Sequence, residues 1–128
     1  MRRNPSSRRI DMRKEKGTVQ GRGGMIDRVR GEVELLGRHM DVLKTVYEHQ
    51  PIGIMKLAEL MDLPYHRIRY SLRVLERMGY IRASPAGAVI TPRTEVLYST
   101  LESDLGNLQA LLGSIQDKIP QMFNKPRK

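Results

Sequence analysis

The sequence predicts a mainly α-helical fold with a small β-hairpin, carrying one further helix at each end. Three observations lead there. Apolar residues recur at alternating steps of three and four over long stretches, which is helical spacing. Two short β-prone runs sit side by side around a Pro/Gly turn. Gly or Pro stands at each junction where one element must stop and the next begin.

With 128 residues, the chain has enough length for one compact domain with appendages and little left for a second core. Charged residues make up 29% and apolar residues 39%, and no run approaches the roughly 20 apolar residues that span a bilayer. The basic start has no apolar stretch behind it and does not resemble a secretory signal. A soluble, cytoplasmic, nucleoid-associated protein is expected. The absence of cysteine excludes disulfides, thiolate metal sites and cysteine nucleophiles.

The net charge is +9, from 23 basic and 14 acidic residues, and such a surface attracts polyanions. Its distribution is uneven. Residues 1–24 hold eight basic and two acidic side chains, and residues 64–93 hold six arginines against Glu76 alone. Residues 25–63 hold five basic and seven acidic, and residues 94–128 hold four of each. Two segments carry the excess.

Taken in order, residues 1–24 show no apolar periodicity and end in GRGG, so they read as a disordered basic arm. From there Ile26, Val29, Val33, Leu36, Met40, Leu43 and Tyr47 form a helical stripe. Gly31 and Gly37 lie off the stripe and cost up to about 1 kcal/mol each relative to Ala. A break near Gly37 is expected, leaving an N-terminal helix over 25–37 and a second helix behind it.

Pro51 and Gly53 end this stretch. The run IMKLAELMD follows as a short helix with Ile54, Leu57, Ala58 and Met61 on one face, stopping at Asp62. Pro64 fits just before the first turn of a new helix, where a missing N–H costs nothing. The third helix therefore runs from about Tyr65 to Met78, and Gly79 supplies a left-handed stop.

Residues 80–83 and 88–91 are the two β-prone runs, joined through Ser84, Pro85, Ala86 and Gly87. Thr91 before Pro92 reads as an N-cap with Pro in the first helical position. The last helix carries Tyr98, Leu101, Leu105, Leu108, Leu112, Ile115, Ile119 and Met122 on a three-four repeat, until Pro120 interferes. This is coiled-coil spacing, kept for about three heptads. The helix is expected over 93–119, with a basic tail over 120–128.

The run KLAELMDLPYHRIRYSLRVLERMGYI, within residues 38–92, resembles the core of the winged helix-turn-helix superfamily. It resembles repressors of the multiple-antibiotic-resistance and arsenical-resistance type and small archaeal or bacterial transcription regulators. Ala58 matches the small residue at the helix crossing, and Ile68 matches the plug early in the third helix. Leu75, Glu76, Gly79, Tyr80 and Ile81 match the closing pattern. Asp62 stands where the turn usually has Gly, a conformation Asp tolerates better than most residues. The resemblance implies a winged helix-turn-helix with flanking N- and C-terminal helices, and transcription regulation through double-stranded DNA.

The third helix supports the same reading by itself. With Ile68, Leu72 and Leu75 inward, His66, Tyr70, Arg73 and Arg77 face outward with Arg69 beside them. Arg in a major groove can donate two hydrogen bonds to guanine N7 and O6 while neighbouring cations hold phosphates. Tyr65, His66, Arg69, Tyr70 and Arg73 are the candidate base readers, and Arg67 and Arg77 the candidate backbone contacts. Arg82 and Arg93, at the base of the hairpin, are candidate phosphate clamps. The hairpin tip, Ser84 to Ala88, is uncharged and poorly suited to reading a minor groove, whereas the basic arm could track one or raise non-specific affinity.

Other chemistry lacks its parts. His39, His49 and His66 fall on different elements without metal-ligand spacing. GRGG follows no strand and lacks a P-loop partner. No nucleophile, base and orienting acid can be assembled, so neither an enzyme nor a cofactor is expected. The stripe over 26–36 and the heptads over 98–119 are too much apolar surface for one small chain, which points to a homodimer. Tyr98, Leu101, Leu105, Leu108, Leu112 and Ile115 form the candidate interface, on a segment with no basic residue between Thr94 and Asp117. Two rival readings are an architectural protein that coats DNA with little sequence preference and a protein-interaction winged-helix module. No effector ligand, operator or regulated gene is indicated.

Overall fold

A computed structural model describes residues 23–123. The elements are α1 (Met25–His49), α2 (Ile54–Met61), α3 (Tyr65–Arg77), β1 (Ile81–Ser84), β2 (Gly87–Ile90) and α4 (Pro92–Phe123). Three helices followed by an antiparallel hairpin give the winged helix-turn-helix order, and α4 leaves from the hairpin's end. The basic arm expected over residues 1–24 and the tail expected over 120–128 fall largely outside the described residues.

The core lies where α1, α2, α3 and the hairpin meet. Val42, Leu43, Val46, Leu57, Ile68, Leu75, Ile52 and Ile81 are all buried there. Ile54, Ala58, Met61 and Leu72 pack against them from the edge. Leu72 is thus half-buried rather than central, and Ser71 and Val74 complete the inner face of α3 instead.

Helix ends follow the local sequence closely. Gly79 has φ +85°, its N–H donates to the Glu76 carbonyl, and the Tyr80 N–H donates to the Leu75 carbonyl. These are the two bonds of a Schellman stop. Asp62 takes the left-handed conformation at the end of α2 (φ 53°, ψ 46°), with the Leu63 N–H returning to the Ala58 carbonyl. Pro64 is the residue just before α3.

Several expectations change. The first helix does not break near Gly37: α1 runs unbroken for 25 residues. Gly31 and Gly37 face open space, so their cost is only propensity. The turn after Gly37 is also fastened to α3 through Arg38 and His39, which both reach Ser71. The boundary placed at residue 37 is therefore not a helix end.

The α1 stripe itself divides. Ile26, Val29, Val33 and Leu36 are exposed, and the buried face further on is Val42, Leu43 and Val46. Tyr47 is exposed too and meets Tyr98 of α4 edge to face, with 6.5 Å between ring centroids.

The strands sit one residue inward of their expected limits, pairing Ile81 with Ile90 and Ser84 with Gly87 around a Pro85-Ala86 turn. Ile52 adds an isolated bridge to Ala88, exchanging two backbone hydrogen bonds of 3.1 and 2.8 Å. This contact explains Gly87 (φ +133°): a Cβ there would lie 2.6 to 2.7 Å from the Ile52 backbone. Only glycine permits that approach.

At the start of α4 the Thr91 hydroxyl donates to the Gly79 carbonyl, tying the hairpin to the end of α3 rather than capping the helix by its side chain. The fully buried Thr94 hydroxyl donates to the Tyr80 carbonyl at 2.6 Å. α4 then continues through Pro120 to Phe123, past the expected end at 119. A proline in the last exposed turn loses one hydrogen bond whose orphaned carbonyl water can satisfy. Among the described residues no helix is long and apolar enough to cross a membrane.

Candidate nucleic-acid interface

Amphipathicity builds the site. Ile68 and Leu75 fix the rotation of α3 against the core, and every charged side chain on it is thereby turned outward. Tyr65, His66, Arg67, Arg69, Tyr70, Arg73 and Arg77 are all exposed. Arg82 on β1 and Arg93 in the first turn of α4 are exposed as well. Among the described residues no carboxylate lies within ion-pair distance of any of these arginines; the ion pairs that do form join Arg30 to Asp27, Lys44 to Glu48 and Lys56 to Glu59.

Aromatic rings hold several of these cations. The Arg69 guanidinium lies 4.7 Å from the centroid of Tyr65, within cation–π range. Arg93 folds over Tyr80 at 5.9 Å, its Cδ lying only 3.1 Å from where a Cβ on Gly79 would stand. Arg93 is thus held against Gly79 and Tyr80, at the end of α3.

A shallow groove lined by Arg38, His66, Arg67, Arg69, Tyr70 and Arg73 runs along α3. Arg38 is the member that sequence reasoning missed. It comes from α1, and its guanidinium stands 6.0 Å from the Tyr70 ring centroid while its Nε–H donates to the Ser71 hydroxyl at 3.1 Å. The same hydroxyl lies 2.9 Å from His39 Nδ1. Burial, then the neighbouring Arg67 charge, lowers the Arg38 pKa from its ordinary value. Burial, then the Arg38 charge, likewise lowers that of His39, with Glu32 opposing. A residue 33 positions away cannot be paired with Ser71 from spacing. One clue existed: a serine at 71, on the face that Ile68 and Leu75 turn inward, is a buried polar group in need of a partner.

The candidate pairing surface is elsewhere. Leu105, Leu108, Leu112, Ile115, Ile119 and Met122 are 40 to 61% exposed, and Tyr98 and Leu101 mark where α4 leaves the core. Burial, then Tyr47 and Glu48, raises the Tyr98 pKa. Past Leu101 every described residue except Gly113 is exposed along a helix about 48 Å in full length.

No family model matches the chain, and a search of curated proteins gives no match. Among solved structures, the chain is similar to the activation domain of the phage T4 transcription factor MotA. Identity is 22% and the TM-score 0.46, over 57% of this chain and 81% of that one.

Proposed function

We propose that the protein is a homodimeric, sequence-preferring regulator of transcription that binds double-stranded DNA with α3 in the major groove. The observation that carries the reading is the outer face of α3: seven exposed aromatic and cationic side chains with no ion-pair partner among the described residues. A merely solvated helix face normally alternates charge signs; here Glu76 is the sole acid on α3. In this reading Tyr65, His66, Arg69, Tyr70 and Arg73 meet base edges, Arg67 and Arg77 meet phosphates, and Arg82 and Arg93 clamp the strand beside the hairpin. The two-residue hairpin turn gives the wing no reach into a minor groove. Dimerisation through α4 covers the exposed heptads and presents two α3 helices to one duplex.

Selection from a random duplex pool tests this. Enrichment of a paired motif is expected, and Arg69→Ala or Arg73→Ala should each cost roughly 1 to 3 kcal/mol of discrimination. Equal affinity for all duplexes would make the protein architectural. No salt-dependent duplex binding would make the cationic face a docking surface for an acidic protein.

A further inference from the structure

We propose that Arg38 and Arg67 form an anchor for one phosphodiester of the DNA backbone, with Ser71 as the positioning residue that aims Arg38. The proposal rests on the DNA-binding reading above and adds to it a site contributed by α1.

The hydrogen bonds at Ser71 hold Arg38 in place. Ser71 is fully buried, and its hydroxyl has one proton to give. Arg38 Nε can only donate, so the hydroxyl accepts from Arg38. The three facing atoms are matched when the serine proton goes to His39 Nδ1, with His39 neutral and its hydrogen on Nε2. Arg38 is therefore held by its Nε and by the face of Tyr70, and the outer fork of the guanidinium has no partner among the described residues. Arg38 lines the same groove as Arg67.

Electrostatics say what is missing. Arg38 is partly withdrawn from water and stands near the like charge of Arg67, and both effects disfavour its cation. Glu34 and Asp41 line a second hollow with Arg38 and Arg67, yet neither carboxylate reaches ion-pair distance of them. Two cations brought together with only neutral fastenings are stabilised by an anion between them. A planar fork favours a phosphate, which it can meet with two parallel hydrogen bonds. With α3 in the major groove, a side chain from the flanking α1 lies over the strand that borders the groove, so the backbone and not a base is the partner.

The test is salt-dependent duplex binding by the full chain and its variants, with thermal melts for each. Arg38→Ala should weaken binding to selected and random duplex alike by about tenfold. It should also make the log K against log salt slope shallower by about one per protomer. Arg38→Lys keeps the charge but not the fork, so the slope should stay while affinity falls by roughly threefold or more. Ser71→Ala should behave like Arg38→Lys, and its effect on affinity should vanish in the Arg38→Ala background. If Ser71→Ala does not fold, the two Arg38 variants decide alone. Parent-like affinity and slope for Arg38→Ala, with Arg69→Ala and Arg73→Ala still impaired, would overturn the anchor and leave the DNA-binding reading standing. A parent chain that binds no duplex would overturn both.

Discussion

The outer faces of α3 and α4 are both exposed in the single chain, and they are opposites. On α3 the aliphatic residues turn inward to the core, and what faces water is arginine, tyrosine and histidine, with Glu76 the one acid. On α4 beyond Leu101 nothing among the described residues covers the apolar side chains, and from Thr94 to Asp117 there is no basic side chain. Exposure by itself identifies neither. A cationic face is at ease in water and gains from a polyanion through counterion release, whereas a heptad stripe loses free energy in water until another apolar stripe covers it. In the proposed reading the α3 surface meets a charged partner outside the protein, and the α4 surface meets a second helix.

The sharpest way to break this contrast is to make α4 resemble α3. Replacing Leu105, Leu108 and Leu112 with polar residues should convert the dimer to a monomer in sedimentation while leaving the buried core of α1, α2, α3 and the hairpin folded. Two protomers presenting Arg67, Arg77, Arg82 and Arg93 to the backbone make on the order of eight phosphate contacts, for a salt slope of roughly −7. In the polar variant the slope should halve, and cooperative binding to half-sites about one helical turn apart should disappear. A parent that sediments as a monomer at micromolar concentration would assign the heptads to some other partner.

A smaller effect sharpens the α3 side. Ile68→Ala should cost about 2 to 5 kcal/mol of stability, because it empties a fully buried site between α2 and α3. Leu72→Ala should cost less, since Leu72 is only half-buried. Equal costs in chemical denaturation would mean that the helix is rotated from the orientation described, and the outward set of arginines would rotate with it.

The smallest effect concerns the neutral histidine behind the cationic face. Burial and Arg38 hold the His39 pKa below its ordinary value of 6.5, so the unfolded chain binds its proton more readily than the folded one. The stability that neutral His39 contributes is fully present above about pH 6.5 and is lost as pH falls from there through the lower folded pKa. His39→Asn offers Ser71 an amide oxygen in place of Nδ1 and cannot titrate. Its melting temperature should fall less than the parent's between about pH 7.5 and about pH 5. Parallel curves would show that His39 exerts no such pull.

Local sequence determined most of the element pattern. Stops at Asp62 and Gly79, the start of α3 behind Pro64, the Pro92 start of α4 and the inward positions Ile68 and Leu75 depend on backbone conformations and a 3.6-residue period that neighbours in the chain dictate. The exposed arginines of α3 follow from the same period. Tertiary structure alone decided the rest. Gly37 sits inside a continuous helix because Arg38 and His39 are tied to Ser71 across the fold, and a propensity cost of about 1 kcal/mol does not outweigh those bonds and the uninterrupted helix ladder. Gly87 is required by the backbone of Ile52, and Thr91 serves the Gly79 carbonyl. Arg38 joins the groove of α3 for the same reason. In each case the partner is a residue far along the chain, and a pairing across that distance is set by how whole elements pack, which no local period encodes.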